Sequence, residues 1–445
     1  MRTANLLALA VLFASSAVHA ATITIINRNE PGVGFNDATP AAPVGGNAGT
    51  TLGQQRLIAF EHAASIWGAA LSSGVPIRVA ASFVPLTCTA TTATLGSAGA
   101  NDIYSDFPNA PRPGTWYPAA LASKLAGSDQ TAADAPHIVA RFNSRLGLFD
   151  DCMPNDGFYL GIDGQAGNRI DLVTVLLHEM AHGLGFQTFT NDQTGKRANE
   201  LPSVWDHYLI DNRANKSWAQ MSDAERSASA VSGAGLSWNG ASVTGAVPGL
   251  LSPVSQLMVA GPNAGAAAGP MAVGDAGFGP PLSNKAVVGE LMPVVDQPDG
   301  SGLACTPLSE ANQLAVRGNV GLVDRGTCAF VDKAKNLQAA GAIAMVVADN
   351  APGEVSDLGG ADPAITIPAV RVSQQSGVLL KAALAKKKAD SSGVTASLGV
   401  DPTRLAGTDS AGRIRMYTPS EYSPGSTVSH FSTDAKRNQL MEPSI

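Results

Sequence analysis

Two histidines and one glutamate lie within five consecutive residues of an apolar segment. Residues 173–185 read VTVLLHEMAHGLG, which places His178 and His182 four residues apart with Glu179 next to the first. At 3.6 residues per turn, positions i and i+4 share one face of a helix, so both imidazoles can bind a single ion. The pattern predicts a Zn²⁺ site. In zinc hydrolases a carboxylate at this position is the general base toward the attacking water, which assigns that role to Glu179.

The composition argues against a chance origin of this motif. With 7 His and 36 acidic residues in 445 positions, fewer than about 0.01 copies are expected at random. Residues 172–177 are apolar nearly all round, as expected of a helix that lies under a cleft. We predict that Asp171 caps the start of this helix and that Gly183 and Gly185 end it.

A catalytic zinc site needs a third protein ligand, and the histidine count limits the choice. Six histidines follow the predicted signal peptide: His62, His137, His178, His182, His207 and His430. His62 and His137 lie in segments that read as a core helix and a strand, and we assign them structural roles. His207 and His430 follow the glycine turn, and both remain candidates.

The start of the chain predicts export. Residues 1–20 combine Arg2, an apolar run over 6–17 and small residues at a cleavage site, the features of a secretory signal peptide. No later segment is apolar enough over about 18 residues to serve as a membrane anchor. We therefore expect a secreted protein, extracellular or periplasmic. A net charge of −7 and a pI near 5.5 argue against nucleic acid or an anionic membrane as partner.

Four cysteines in an exported chain favour two disulfides over free thiols. Cys88, Cys152, Cys305 and Cys328 allow three pairings. Nearest-neighbour pairing, which we expect, joins Cys88 to Cys152 and Cys305 to Cys328. None of the four has the spacing of metal ligands.

The segments before the motif predict an α+β domain with a twisted sheet. An amphipathic helix over 52–71 and strands over 77–83, 135–142 and 158–162 precede the metal-site helix. Residues 261–279 are rich in Gly, Ala and Pro, which predicts a linker or an irregular lead-in to a new module, and we assign 261–285 as a linker.

A small α/β module is predicted from residue 286 onward. Residues 321–334, GLVDRGTCAFVDKA, and 339–350, AAGAIAMVVADN, resemble the protease-associated domain of secreted and vacuolar peptidases. The resemblance covers about 286–399, and Cys305 and Cys328 stand where such domains often carry a disulfide. It implies a non-catalytic module that binds peptides or gates an active site. A spacer that only adds stability is the alternative.

The catalytic segment resembles the metzincin group of zinc peptidases, and within it the leishmanolysin family. The resemblance rests on residues 178–186, HEMAHGLGF, and on the later segments 425–431 and 438–443. The usual third metzincin ligand falls at Thr188, which is a poor zinc ligand, whereas leishmanolysin-like enzymes deliver it after an insertion. The resemblance implies that His430 is the third ligand and that Met441 lies beneath the metal.

Together these resemblances predict a metallopeptidase domain that is interrupted by the protease-associated domain. The predicted parts are the signal peptide (1–20), the first part of the metallopeptidase domain (21–260), the linker (261–285), the protease-associated domain (286–400) and the second part of the metallopeptidase domain (401–445).

Three functions are compatible with these features. The first is a secreted zinc endopeptidase that acts on proteins or peptides. The second is a non-catalytic secreted peptide-binding protein with a decayed or structural zinc site, against which the intact Glu179 argues, because a structural site needs no general base. The third is a gluzincin-type peptidase with Glu200 as third ligand, against which Gly185 and the Leu440–Met441 pair argue.

Overall fold

The computed structural model of the protein describes residues 20–353, 355–388 and 391–444. The chain folds into two units. The first comprises Met1–Gly245, Arg413–Thr433 and Asn438–Ile445, and the second comprises Ala246–Gly412 and Asp434–Arg437. The predicted signal peptide, apart from Ala20, lies outside the described residues. Among the described residues, no helix is both long and apolar enough to cross a membrane.

The first unit contains eleven strands and four α-helices among its described residues. The strands are β1 (Ile23–Asn27), β2 (Ile77–Val84), β3 (Gly96–Ala100), β4 (Ile103–Tyr104), β5 (Tyr117–Pro118), β6 (Ile138–Asn143), β7 (Phe158–Tyr159), β8 (Ile170–Asp171), β9 (Leu209–Asp211), β10 (Lys216–Ser217) and β11 (Leu236–Trp238). The helices are α1 (Leu52–Ala70), α2 (Ala119–Ala126), α3 (Leu172–Leu184) and α4 (Asp223–Ala230).

The main sheet of this unit has the strand order β1-β2-β6-β3. β1, β2 and β6 are parallel, and β3 pairs antiparallel with β6 at the edge of the sheet. Parallel neighbours need a crossover connection, and α1 supplies the one between β1 and β2. The predicted strand over 158–162 is shorter than expected, because the chain turns after it through Gly164 and Gly167, both at positive φ.

The core of the first unit lies between this sheet, α1 and α3. Phe60 of α1 packs edge-on against Phe142 of β6, with ring centroids 5.4 Å apart. Leu176 and Met180 of α3 are fully buried, and burial of each such side chain stabilises the fold by about 1.5–3 kcal/mol. The indole nitrogen of Trp67 donates to the carbonyl of Leu177, which joins α1 to α3. The apolar approach to the motif therefore serves to hold the metal-site helix in the core.

The second unit is built on an eight-stranded sheet with the order β13-β12-β19-β15-β16-β17-β18-β14. Its strands are β12 (Pro253–Ala260), β13 (Gly269–Ala272), β14 (Gly274–Asp275), β15 (Val287–Pro293), β16 (Val320–Asp324), β17 (Ala344–Ala348), β18 (Ala369–Val372) and β19 (Thr395–Leu405). The helices are α5 (Ala241–Leu250), which spans the unit boundary, α6 (Glu310–Val316), α7 (Phe330–Ala339) and α8 (Gln374–Leu384). β15 to β18 are parallel, with α7 in the crossover between β16 and β17.

The prediction of a linker over 261–285 is wrong. β13 pairs antiparallel with β12, and β14 pairs antiparallel with β18, so the segment supplies both edges of the large sheet. Its small residues suggested a flexible connection, but Ala264, Ala267 and Met271 of this segment pack into the core of the second unit. β12 and β19 also pair along their length, and therefore the second unit extends beyond 286–400 at both ends.

Both disulfides join nearest neighbours in the sequence, as expected. Cys88 pairs with Cys152 in the first unit, and Cys305 pairs with Cys328 in the second. Each bridge thus lies within one unit.

A buried ion pair lies at the end of β17. Asp349 accepts hydrogen bonds from Arg371, from Arg325 (3.0 Å) and from the backbone N–H of Asn350 (2.8 Å). Asp349 and Arg371 are both buried. Burial alone would raise the pKa of Asp349, but the bonds from the two arginines outweigh it and lower the pKa to about 2.

We predict that Asp349→Asn lowers the free energy of unfolding by about 3 kcal/mol, because Arg371 is left buried without its counter-charge. The folded pKa lies below the ordinary value of 3.8, so the contribution is present above about pH 4 and is lost as the pH falls toward 2. Chemical denaturation at pH 7 and pH 2.5 measures it. Lys335→Gln, which removes the exposed pair with Asp362, should cost less than about 1 kcal/mol. Equal effects of the two variants would contradict the prediction.

Candidate metal centre

The helix that carries the motif has defined ends. The side chain of Asp171 accepts from the N–H of Thr174 at 3.3 Å and from its hydroxyl at 2.6 Å, which caps the first turn. α3 ends at Leu184, and Gly185 follows at φ +129°, a conformation that favours glycine. Gly183 remains helical, contrary to expectation. It is needed for close packing, since an added Cβ would lie 2.3 Å from a methyl carbon of Ile138.

Three imidazoles meet above this helix. The Nε2 atoms of His178 and His182 are 3.2 Å apart, and His430 brings its own Nε2 to 3.1 Å from the first and 3.2 Å from the second. All three side chains are buried. Among the described residues these three form the one group of His, Cys, Asp or Glu with metal-ligand spacing. The structure thus brings together the predicted pair and His430, which is 248 residues further along the chain than His182.

Each ring is oriented by a backbone carbonyl at its other nitrogen. Nδ1 of His178 is 2.7 Å from the carbonyl oxygen of Leu440, Nδ1 of His182 is 2.7 Å from that of Phe186, and Nδ1 of His430 is 2.8 Å from that of Ser426. A carbonyl only accepts, so each Nδ1 carries the proton and each Nε2 presents a lone pair to the centre.

The donor set fits Zn²⁺. Burial lowers the pKa of all three imidazoles, that of His182 to about 4 and that of His430 to about 3, so the rings are neutral at pH 7. Three nitrogens bound tetrahedrally at about 2.0–2.1 Å stand about 3.4 Å apart, close to the spacing observed. Three lone pairs directed at one point repel one another, and a cation removes that repulsion.

Glu179 lies on the same helix next to the first histidine and is also buried. Burial raises the pKa of its carboxyl to about 7, although a hydrogen bond from the backbone of Ala98 opposes the shift. Ala98 belongs to the edge strand β3, so Glu179 connects the metal-site helix to the strand that borders the cleft. A carboxyl group with this pKa can both accept and donate a proton near neutral pH.

Met441 is buried, and it directly follows Leu440, whose carbonyl oxygen orients His178. Its own carbonyl oxygen accepts from the N–H of Phe431 at 2.7 Å, which joins it to the segment that carries His430. Its role as a floor beneath a metal stays a prediction.

The other candidate ligands lie elsewhere. His207 contacts the hydroxyl of Thr115 at 3.2 Å, and His137 is fully buried with its Nε2 3.3 Å from Asp129. His62 lies partly exposed on α1, and Glu200 is exposed in the loop after the motif. None of the four joins the histidine cluster in the part of the chain that the structure describes.

One residue of this region was missed by the sequence reasoning. Asp206 is fully buried and accepts from the hydroxyls of Thr188 (2.7 Å), Thr190 (2.5 Å) and Ser203 (2.8 Å). The N–H of Thr188 in turn donates to the hydroxyl of Ser429, next to His430. Asp206 therefore fixes the loop after the helix against the segment of the third histidine. Its two threonine partners are 16 and 18 residues away, so no local pattern predicts these bonds.

An open cleft of about 1040 Å³ passes over the histidine cluster. Its lining includes residues 91–98, which contain the first half of β3, together with the loop residues 187–188, 190 and 192 and the segment 424–426. The cluster and Glu179 are thus accessible to a polymer as large as a peptide.

We predict that replacing His430 by Ala reduces bound zinc from about one ion per chain to nearly none after dialysis, because two imidazoles alone do not enclose the ion. His207→Ala should keep about one zinc and is the matched control. Metal analysis of both variants, with circular dichroism to establish that they are folded, checks the assignment. Retention of zinc in His430→Ala with loss in His207→Ala would reverse it.

Comparisons with known proteins identify one part of the chain. Residues 287–380 match the family model described as the PA domain. A segment is 43% identical over 67 residues to the minor extracellular protease Vpr of Bacillus subtilis (15% of this chain, 8% of the relative). Another is 36% identical over 90 residues to the probable lipoprotein aminopeptidase LpqL of Mycobacterium tuberculosis (20% and 18%). The matched segments thus span less than a fifth of either relative.

The similar solved structures also match only about a third of this chain. The aminopeptidase from Aneurinibacillus sp. strain AM-1 is 26% identical over 34% of this chain and 31% of its own, with a TM-score of 0.25. The zinc aminopeptidase BSAP of Bacillus subtilis is 19% identical over 36% of each chain, with a TM-score of 0.23. The metzincin resemblance of the catalytic segment stays a prediction. The region predicted as 286–400 does contain a PA domain, within residues 287–380.

Proposed function

We propose that this protein is a secreted zinc-dependent endopeptidase in which His178, His182 and His430 hold the metal and Glu179 is the general base. The observation that carries the proposal is the position of Glu179. It is buried beside a set of three neutral histidines, at the bottom of an open cleft, and its pKa is raised to about 7. A set of three histidines without a fourth protein ligand is typical of catalytic rather than structural zinc sites.

Zn²⁺ bound here supplies a Lewis acid for the scissile carbonyl and lowers the pKa of the attacking water. The carboxylate of Glu179 takes the proton from that water and then holds it as a neutral acid. A carboxyl group with a pKa near 7 can next release the proton to the leaving amine nitrogen, which prevents return of the amine. Burial of Glu179 raises its pKa and so favours its holding the proton between the two steps, whereas a bound divalent cation would oppose that rise.

The edge strand supports binding of an extended peptide. β3 pairs with β6 on one side only, so its other edge offers backbone donors and acceptors to a strand added from solution. Residues 96–98 of β3 line the cleft. A peptide that pairs there by its backbone can extend in both directions past Glu179. That arrangement favours cleavage of internal bonds, whereas an exopeptidase must bind a chain end.

Export is part of the proposal. The predicted signal peptide and the two disulfides both fit an oxidising compartment. Peptidases are prominent among the relatives named above, and one of them is called extracellular.

We predict that the purified protein cleaves peptides that are acetylated at the N-terminus and amidated at the C-terminus. Glu179→Gln should retain zinc but lower kcat by roughly 10³-fold, because the ligands remain and the proton acceptor is lost. Glu61→Gln, an exposed position on α1, is the matched control and should leave kcat unchanged. Kinetics on internally quenched peptides and metal analysis give both readouts.

Three results would contradict this assignment. Cleavage confined to peptides with a free N-terminus would make the protein an aminopeptidase. Full activity in Glu179→Gln would remove Glu179 from the mechanism. Binding of peptides by the parent without any cleavage would favour the non-catalytic peptide-binding protein.

A further inference from the structure

The charged side chains that line the cleft are of one sign. Apart from the histidines, the ionisable residues in its lining are Asp156, Glu179 and Asp192. No lysine or arginine belongs to the described lining. Glu179 is reserved for proton transfer in the proposed mechanism, and Asp192 lies on the loop that follows the metal-site helix. The cleft therefore offers two carboxylates that the chemistry of bond cleavage does not use, and of these Asp192 is the one whose side chain is held by a hydrogen bond among the described residues.

Asp192 is held in place by its loop. The adjacent Asn191 bonds through its N–H to the carbonyl of Lys196 (2.8 Å) and through its carbonyl to the N–H of Gly195 (2.7 Å), which closes a tight turn. The next residue, Gln193, accepts from the hydroxyl of Ser227 at 2.7 Å. The turn is thus joined to α4 by a hydrogen bond. A rigid backbone gives the carboxylate a fixed position, which specificity requires.

The carboxylate of Asp192 has one side-chain partner among the described residues. Its Oδ1 accepts from the hydroxyl of Tyr422 at 3.0 Å. Partial burial raises the pKa of Asp192, and the bond from Tyr422 opposes the shift. No ion pair to it is present in the parts of the chain described, unlike Asp349 with its two arginines. A partly buried anion without a counter-ion is stabilised when a cation approaches.

Asp192 lines the same cleft as the histidine cluster but does not belong to that cluster. Thr188 and Thr190 lie between it and the end of the metal-site helix, and all three residues line the cleft. Both threonines are fixed by Asp206. A peptide bound in this cleft can therefore place one of its side chains against Asp192 while its scissile peptide group lies at the histidine cluster.

We propose that Asp192 is a specificity-determining residue that binds the lysine or arginine side chain of the peptide substrate. The inference rests on the proposed peptidase function and deepens it by naming the substrate class. Asp192 forms an ion pair with the substrate cation, and Tyr422 holds the carboxylate in the orientation that receives it. The N-terminal ammonium group of a peptide is also a cation, so the test must distinguish it from a lysine or arginine side chain.

The test uses peptides of one sequence, blocked at both ends, in which each position from three before to three after the cut carries Lys, Gln or Glu. At one of these positions the parent should show kcat/KM for Lys above that for Gln by on the order of 10- to 100-fold. In Asp192→Asn, where the amide oxygen can still accept from Tyr422, the Lys/Gln ratio should fall to near one. Asp192→Lys should reverse the order of Lys and Glu. Added salt should reduce the ratio in the parent.

Controls separate charge recognition from a purely structural role. Asp299→Asn makes the same change of net charge at an exposed site of the second unit and should leave the Lys/Gln ratio intact. If Asp192 only supports the loop, Asp192→Asn and Tyr422→Phe would lower kcat/KM equally for the Lys, Gln and Glu peptides, which would overturn the inference. A preference seen only when the N-terminus is free would overturn it as well.

A binding measurement keeps this inference distinct from the proposed function. Fluorescence anisotropy gives the Kd of the Lys and Glu peptides for Glu179→Gln and for the double variant Glu179→Gln/Asp192→Asn. A preference for the Lys peptide that disappears in the double variant supports the role of Asp192. If the parent also cleaves no peptide, only the peptidase proposal is overturned. Equal Kd values for both peptides in Glu179→Gln, together with a Lys/Gln ratio near one in the parent, overturn the role of Asp192 alone.

Discussion

The convergence of three imidazole nitrogens on one point constrains three separate segments of the first unit. Each Nε2 faces the centre only because a backbone carbonyl holds the opposite nitrogen, and these carbonyls come from Phe186, Ser426 and Leu440. The end of α3, the segment before His430 and the segment before Met441 must therefore all be in place at once. Neutral rings without a cation repel one another, so metal affinity and the folding of these segments are thermodynamically linked.

Local features of the sequence were sufficient to predict the metal-site helix. The spacing of His178 and His182, the cap at Asp171 and the turn at Gly185 depend on residues within one or two helical turns. The third histidine was harder to predict. The order of the histidines along the chain left both His207 and His430 as candidates for the third ligand, and the family resemblance was what favoured His430. Asp206 could not be found at all, since its bonds to Thr188 and Thr190 exist only after the loop has folded. Composition also misled at 261–285, where small residues form edge strands.

The path of the chain explains why a histidine so distant in sequence can join the cluster. Between His182 and His430 the chain forms a further part of the first unit and nearly all of the second. After His430 it enters the second unit again at Asp434–Arg437, where Lys436 pairs with Asp357 at 2.9 Å and with Asp275 at 3.4 Å. The cost of closing a long loop grows only slowly with its length, so an inserted folded module adds little to it.

Glu179 and Asp192 are both carboxylic acids in the cleft, but their surroundings suit them to the different roles proposed above. Glu179 is buried deeply enough that its pKa rises to about 7, which suits proton transfer, and a divalent cation nearby lowers that pKa again. Asp192 is only partly buried and keeps a hydrogen bond from Tyr422 to its charged form. Partial burial raises the pKa of Asp192 and the bond from Tyr422 opposes that rise, so an approaching cation would stabilise the ionised carboxylate. Burial depth, more than residue type, separates the group that moves a proton from the group that selects a substrate.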